Sequence, residues 1–368
     1  MAPWGVTLHP YRQELRRAIG RVGLLDGAVR RLRRSDEIAR LQARVEQLQD
    51  QIASAPVGPG HAAPGGPVAA GETGVAPAVP VLVGPSVAPF LTESAPGHFY
   101  SPVPDLAEIA AQADRLFRAD RALPGVDLRG DEQVAAFREL AGLARDAALE
   151  LEDPPTRYRL DNPNYGIGDA SMALAMLRHL RPRRYLEVGS GYSTALALDA
   201  GERFLDGKLQ VTAVEPFPEL LGSLARPGDP LEVLAQPVQS VPLERFAALD
   251  AGDVLFIDSS HVLKTGSDVQ FLYTEVLPVL ADGVHVHIHD IFWPFEYLRH
   301  WVELGRAWNE CYLLHAFLLH NDRFEIVLWN HYLAVRHRAT VADELPAMLE
   351  NPGGALWMRV SGRRQAAG

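Results

Sequence analysis

Short apolar runs alternate with amphipathic stretches from Arg184 to His289, and that alternation is the strongest pattern in the chain. Residues 185–188, 209–215, 231–234, 253–258 and 284–289 are rich in Val, Leu and Ile, and most of them end at an acid or lead into a turn. Such runs read as strands covered on both faces, and so as an α/β fold with a parallel sheet and helices on both sides. A helix is expected to follow Gly191 through Ala200, and a long one to run from Asp258-Ser259-Ser260-His261 through Leu280. Residues 311–320 and 324–335, joined by Asn321-Asp322-Arg323, predict an antiparallel hairpin that closes the sheet at seven strands. Ahead of the sheet, helical spacing covers 105–122, 131–150 and 169–180, with Val134, Phe137, Leu140 and Leu143 on one side of the second. The first two helices are expected to cap the ligand face. The turn-rich stretch Arg159-Leu160-Asp161-Asn162-Pro163-Asn164-Tyr165-Gly166 is expected to close over a ligand.

The flanks differ in kind. Residues 1–35 carry Arg12, Arg16, Arg17, Arg21, Arg30, Arg31, Arg33 and Arg34 on a helical stripe broken by Gly20, Gly23 and Gly27. They read as a basic arm, either solvated or set against an anionic partner. Ile38, Leu41, Val45, Leu48 and Ile52 alternate spacings of three and four, a short heptad seam through which residues 38–52 are expected to pair two copies. The divisions that follow are a basic arm and short coiled coil over 1–53, a Pro/Gly/Ala-rich linker over 54–96, a helical cap over 97–160, the sheet domain over 161–337 and a weakly structured tail over 338–368.

Composition narrows the function classes. Of 368 residues, 47% are hydrophobic and 22% charged, enough apolar material for one large core or two ordinary ones. A net charge of −11 argues against nucleic acid as the main partner, because phosphate binding needs a basic footprint. The single cysteine, Cys311, allows no internal disulfide and reads as a small core residue. No apolar run approaches the roughly 18 residues of a membrane span, and no secretory signal opens the chain, so a cytoplasmic setting is expected.

The chemistry centres on Tyr185-Leu186-Glu187-Val188-Gly189-Ser190-Gly191-Tyr192-Ser193-Thr194, a strand, a glycine turn and the first turn of a helix. Gly189 and Gly191 let the backbone approach a ligand at a helix N-terminus, with Ser193 or Thr194 as the cap. A dinucleotide site places glycine where Thr194 stands, and the carboxylate of Glu187 would repel a pyrophosphate but suit an ammonium group. Glu215, at the end of the second strand, is placed to bind the ribose hydroxyls of an adenosine. Asp258, His261, His289 and Asp290 all fall at the carboxyl ends of the fourth and fifth strands, where open parallel sheets gather their chemistry. Trp293, Phe295 and Tyr297 are expected to line an acceptor pocket.

Glu187-x-Gly189-x-Gly191 resembles motif I of the class I S-adenosylmethionine (SAM)-dependent methyltransferases. With Glu215, Ile257-Asp258-x-x-His261 and His289-Asp290, residues from about Tyr158 to Val335 resemble the metal-dependent small-molecule O-methyltransferases of that class, including those acting on catechols and macrolide sugars. The resemblance implies a Rossmann-like sheet and transfer of a methyl group from SAM to a hydroxyl of a small molecule. It implies a cofactor site at Glu187, Gly189, Ser190, Gly191, Ser193, Thr194, Glu215 and Asp258, with Gln239 and Ser240 at the adenine. It further implies a divalent metal held by Asp258, His289 and Asp290, with His261 as the base. His289 stands where the family has an acid, which favours an ion softer than Mg²⁺ or no ion. Two alternatives remain at this stage: a nicotinamide-dependent oxidoreductase, and a non-catalytic binding or scaffold protein on the same fold.

Overall fold

The computed structural model describes residues 93–151 and 156–362. The basic arm and heptad seam of residues 1–53, and most of the linker after them, lie outside the described residues. Seven strands form one sheet: β1 Arg184–Val188, β2 Gln210–Val214, β3 Leu231–Leu234, β4 Val254–Ile257, β5 His285–Ile288, β6 Phe324–Trp329 and β7 Leu356–Val360. Their order is β3-β2-β1-β4-β5-β7-β6. The first five are parallel, and β7 runs antiparallel to both β5 and β6. The chain leaves β1 toward β2 and β3, then crosses back to β4. The carboxyl ends of β1 and β4 therefore meet at the switch of direction, where an open sheet leaves a crevice.

Burial explains the strand order. All four residues of β4 are buried, and so are Tyr185, Leu186, Glu187 and Val188 of β1, as central strands require. The edge strand β3 is half-exposed throughout. Helices Ile167–Leu180 and Tyr192–Phe204 flank the sheet with continuous buried runs such as Ala195–Ala197. Among the described residues no helix is long and apolar enough to cross a membrane.

Five expectations from the sequence change here. Residues 311–320 are not a strand: Glu310–Leu318 is a helix that buries Cys311, Leu314 and Leu318, a helical spacing. The strand expected over 324–335 ends at Trp329, and Asn330–Arg336 is helical. The hairpin partner of β6 is β7, inside the segment expected to be a weakly structured tail. The long helix after β4 also starts late: residues 258–267 form a loop, and the helix opens at Asp268, where the Ser267 hydroxyl accepts from the Gln270 amide at 3.1 Å. Finally, helix Gly130–Leu151 does not cap the ligand face, because Phe137, Leu140, Ala141 and Ala144 are buried in the common core.

Candidate functional site

At the end of β1 the backbone turns through Gly189, with φ at +82°. A Cβ there would sit 1.8 Å from the carbonyl oxygen of Asp258, so only glycine lets the β1 and β4 ends lie this close. Glu215 holds the turn from the β2 side: its carboxylate accepts from the amides of Ser190 at 3.0 Å and Phe217 at 2.9 Å. Glu187 lies sealed beneath the turn. The hydroxyls of Ser193 and Thr194 each donate to one of its carboxylate oxygens at 2.5 Å, and Thr194 accepts from the Gly191 amide at 3.2 Å. Both hydroxyls, expected at the cofactor, are thus spent on orienting Glu187 and closing the helix start.

Burial pushes the Glu187 carboxyl up from 4.5 to about 8, against the pull of those two hydroxyls. The native state then keeps a proton that the unfolded chain releases above pH 4.5. The stability this provides is complete at low pH and is lost as pH rises toward about 8. Glu187→Gln, whose Oε1 accepts from one hydroxyl and whose Nε2 donates to the other without titrating, is expected to flatten this decline. Urea midpoints measured across that pH window check it, and parallel curves for the two proteins would refute it.

Two cavities open on the crevice and share Asp258, Ser259 and Ser260. The first, about 450 Å³, is lined by Gly189, Glu215, Phe217, Val238 and Gln239. The Gln239 amide donates to the Gly266 carbonyl at 2.8 Å, while Ser240 is exposed and lines neither cavity. The second, about 570 Å³, contains His261, His289, Asp290 and Asp169, with Phe292, Trp301 and Trp308 as its aromatic wall. Trp293, Phe295 and Tyr297, expected there, are instead buried in the core. Asn164 and Gly166, from the turn-rich stretch before the sheet, border this second cavity.

His261 is the best-held side chain in the crevice. It sits at φ +58° and is 4% exposed. Its carbonyl accepts from the amides of Asn309 at 3.0 Å and Glu310 at 3.1 Å, the first turn of the helix that the sequence pattern hid. Its Nδ1 lies 2.9 Å from a Glu310 carboxylate oxygen, and its Nε2 lies 3.2 Å from Asp258 and 3.7 Å from Asp290. Trp308 packs on the ring at 4.5 Å. Burial disfavours the charged ring, but the hydrogen bonds to Asp258 and Glu310 outweigh it and raise its pKa to about 10. Burial likewise works against the Asp258 carboxylate, yet the imidazoles of His289 and His261 hold it near 2.

Asp258, His261 and Asp290 bring one ligand atom each to within 4.8 Å of one another, a grouping that a divalent cation could enter. His289, expected as the third ligand, is not in that group. Its Nε2 lies 3.7 Å from Asp290 and 4.0 Å from Asp169, and its Nδ1 faces His287 at 3.4 Å. Asp169 is buried at the start of its helix, where it accepts from the amides of Ala355 at 3.0 Å and Gly354 at 3.3 Å and from Asn330 at 3.2 Å. Burial raises Asp169 to about 6. The glycines just before β7 are therefore the back wall of the cavity. A Cβ on Gly353 would fall 1.9 Å from the Asp169 carboxylate.

The sequence pattern missed Glu310, Asp169, Trp301, Trp308 and the Gly353-Gly354 wall. The run Asn351-Pro352-Gly353-Gly354 ahead of an apolar stretch was a usable turn signal for the last of these. Glu310 had none.

The family model described as a methyltransferase domain matches residues 186–291. An uncharacterized protein of Archaeoglobus fulgidus is 33% identical over 165 residues, covering 42% of this chain and 73% of its own length. Among solved structures, the chain is similar to the SAH-bound Podospora anserina methyltransferase PaMTH1 at 15% identity and a TM-score of 0.37, over 71% of this chain and 98% of that one. It is also similar to the O-methyltransferase TomG from Streptomyces achromogenes, involved in tomaymycin synthesis and solved with SAM. That likeness is 16% identity and a TM-score of 0.36, over 61% of this chain and 90% of that one.

Proposed function

We propose, for a chain that belongs to the class I SAM-dependent methyltransferases, that it methylates a hydroxyl of a small molecule and that His261 takes the proton the hydroxyl loses. The nicotinamide alternative falls with that membership. The observation that carries the proposal is the placement of His261. It lines the second cavity beside Asp258, which the two cavities share, with one nitrogen fixed by buried Glu310 and the other turned toward Asp258.

The residues fit the cofactor. The cavity beside Gly189 has Glu215 at its β2 end, and that carboxylate, with two backbone amides already on it, keeps lone pairs free for ribose hydroxyls. Gln239 and exposed Phe217 border the same cavity on the adenine side. When bound, SAM supplies an electrophilic methyl on a sulfonium sulfur and leaves as S-adenosylhomocysteine (SAH).

The protein's part is alignment and proton removal. Glu310 accepts from Nδ1–H of His261, which fixes the ring and leaves Nε2 as the atom facing the crevice. Between its two carboxylates the ring holds both protons. A hydroxyl that displaces Asp258 from Nε2 removes the contact that stabilises the second proton. That proton leaves to solvent as the acceptor enters, and the neutral Nε2 then takes the proton the hydroxyl loses. Phe292, Trp301 and Trp308 give the acceptor side an apolar wall. Calorimetric titration with SAH and with NAD tests the cofactor. Binding of NAD in preference to SAH would refute the proposal.

A second reading has one observation in its favour, the grouping of Asp258, His261 and Asp290. A set of two carboxylates and one imidazole admits Mn²⁺ more readily than Mg²⁺. Titration with Mn²⁺, followed by electron paramagnetic resonance, is expected to give one site that Asp290→Asn removes. In that case Nε2 is a ligand and the proton leaves by another route. No saturable Mn²⁺ signal eliminates this reading and leaves the base.

A further inference from the structure

Between Leu298 and Asn309 the chain sets two indoles nearly at right angles, Trp301 and Trp308, with ring centres 5.4 Å apart. The guanidinium of Arg306 lies against both, its carbon 4.2 Å from the Trp301 ring and 4.9 Å from the Trp308 ring. Trp308 touches His261 as well, at 4.5 Å. Arg306 and the imidazole thus lean on one indole and line one cavity, together with Asp258 and Asp290.

Arg306 is exposed and, among the described residues, makes no ion pair, although it acts on the Asp290 carboxylate from across the cavity. Arg157, Arg184, Arg245 and Arg299 all grip carboxylates. Among the described residues no acid lies within ion-pair distance, 4.0 Å, of Arg306, and its side-chain N–H groups have no protein acceptor. A guanidinium set against two indoles over its carbon keeps its fork of N–H donors for a planar oxyanion. The indoles restrict its motion beforehand, so less entropy is lost on binding.

We propose that the methyl acceptor is a hydroxylated carboxylic acid, with its carboxylate on Arg306 and its hydroxyl at His261. The proposal rests on the methyltransferase reading above and specifies its substrate class. A carboxylate is favoured over a phosphate dianion because this cavity sets a single arginine against Asp169, Asp258 and Asp290, a wall that penalises a second negative charge.

Full-length protein is titrated calorimetrically with SAH and then, saturated with it, with matched pairs: protocatechuate, gallate and caffeate, each against its primary amide. The acids are expected to bind about tenfold tighter than the amides, the worth of a charge-assisted hydrogen-bond pair. Arg306→Gln is expected to erase that gap while SAH affinity stays unchanged, and Arg306→Lys to restore part of it. Acids and amides that bind alike overturn the inference, as does a preference that survives in Arg306→Gln. Failure of SAH itself to bind overturns the methyltransferase reading and takes this one with it. SAH binding without acid preference overturns this one alone.

Discussion

His261→Asn is expected to lower methyl transfer by about 10²- to 10⁴-fold, the usual share of a positioned general base, with SAH affinity nearly unchanged and a smaller loss of stability than His261→Ala. Asparagine is the informative replacement for two reasons. Its side-chain amide reaches the position of Nδ1 and donates to Glu310, so the buried carboxylate keeps its hydrogen bond. It also tolerates the left-handed backbone at φ +58° better than most residues. Alanine at the same position leaves the Glu310 carboxylate, 0% exposed, without its imidazole. Loss of a partner from a buried charge pair costs about 3–5 kcal/mol, so His261→Ala is expected to lose both activity and stability. The measurement is turnover of SAM with a hydroxylated acceptor that the native enzyme methylates, beside melting curves for both variants. Native-like turnover in His261→Asn would falsify the proton-transfer role.

The contrast between those variants exists because Glu310 stands 49 positions from His261 in the chain. No local pattern couples an acid to a histidine at that separation, and the helix that presents it was hidden as well. Glu310–Leu318 is apolar on nearly every position, so strand and helix periods fit it equally until tertiary packing decides. The parallel strands were legible for the opposite reason. β1, β4 and β5 are covered on both faces, and their short Val/Leu/Ile runs have no other stable use. β7 is as apolar as they are, but its place between β5 and β6 depends on a long return of the chain that spacing does not encode. At the site, the residue types at the strand ends were readable and their orientations were not. Asp258 and Asp290 converge as expected, whereas His289 turns toward Asp169, and His261, placed on a loop rather than a helix, takes its position in the group.

The glycine turn makes the most severe prediction. Gly189→Ala is expected to abolish SAH binding and to cost more than about 4 kcal/mol of stability, the range reserved for identifiable collisions. Two effects combine there. The φ of +82° alone costs an alanine about 1–2 kcal/mol. The larger effect is steric: the new methyl would lie 1.8 Å from the Asp258 carbonyl oxygen and 2.8 Å from its carbon, both backbone atoms at the end of a buried central strand. Relief requires the β1 and β4 ends to part, which spreads the crevice that holds both cavities. Gly207→Ala separates the two effects, because Gly207 has a φ of +66° with nothing within 4 Å of an added Cβ. That variant is expected to lose only about 1–2 kcal/mol and to bind SAH normally. Equal losses in urea denaturation for the two variants would mean that backbone strain explains both. In that case the close approach of Gly189 to Asp258, and the crevice geometry built on it, would be wrong.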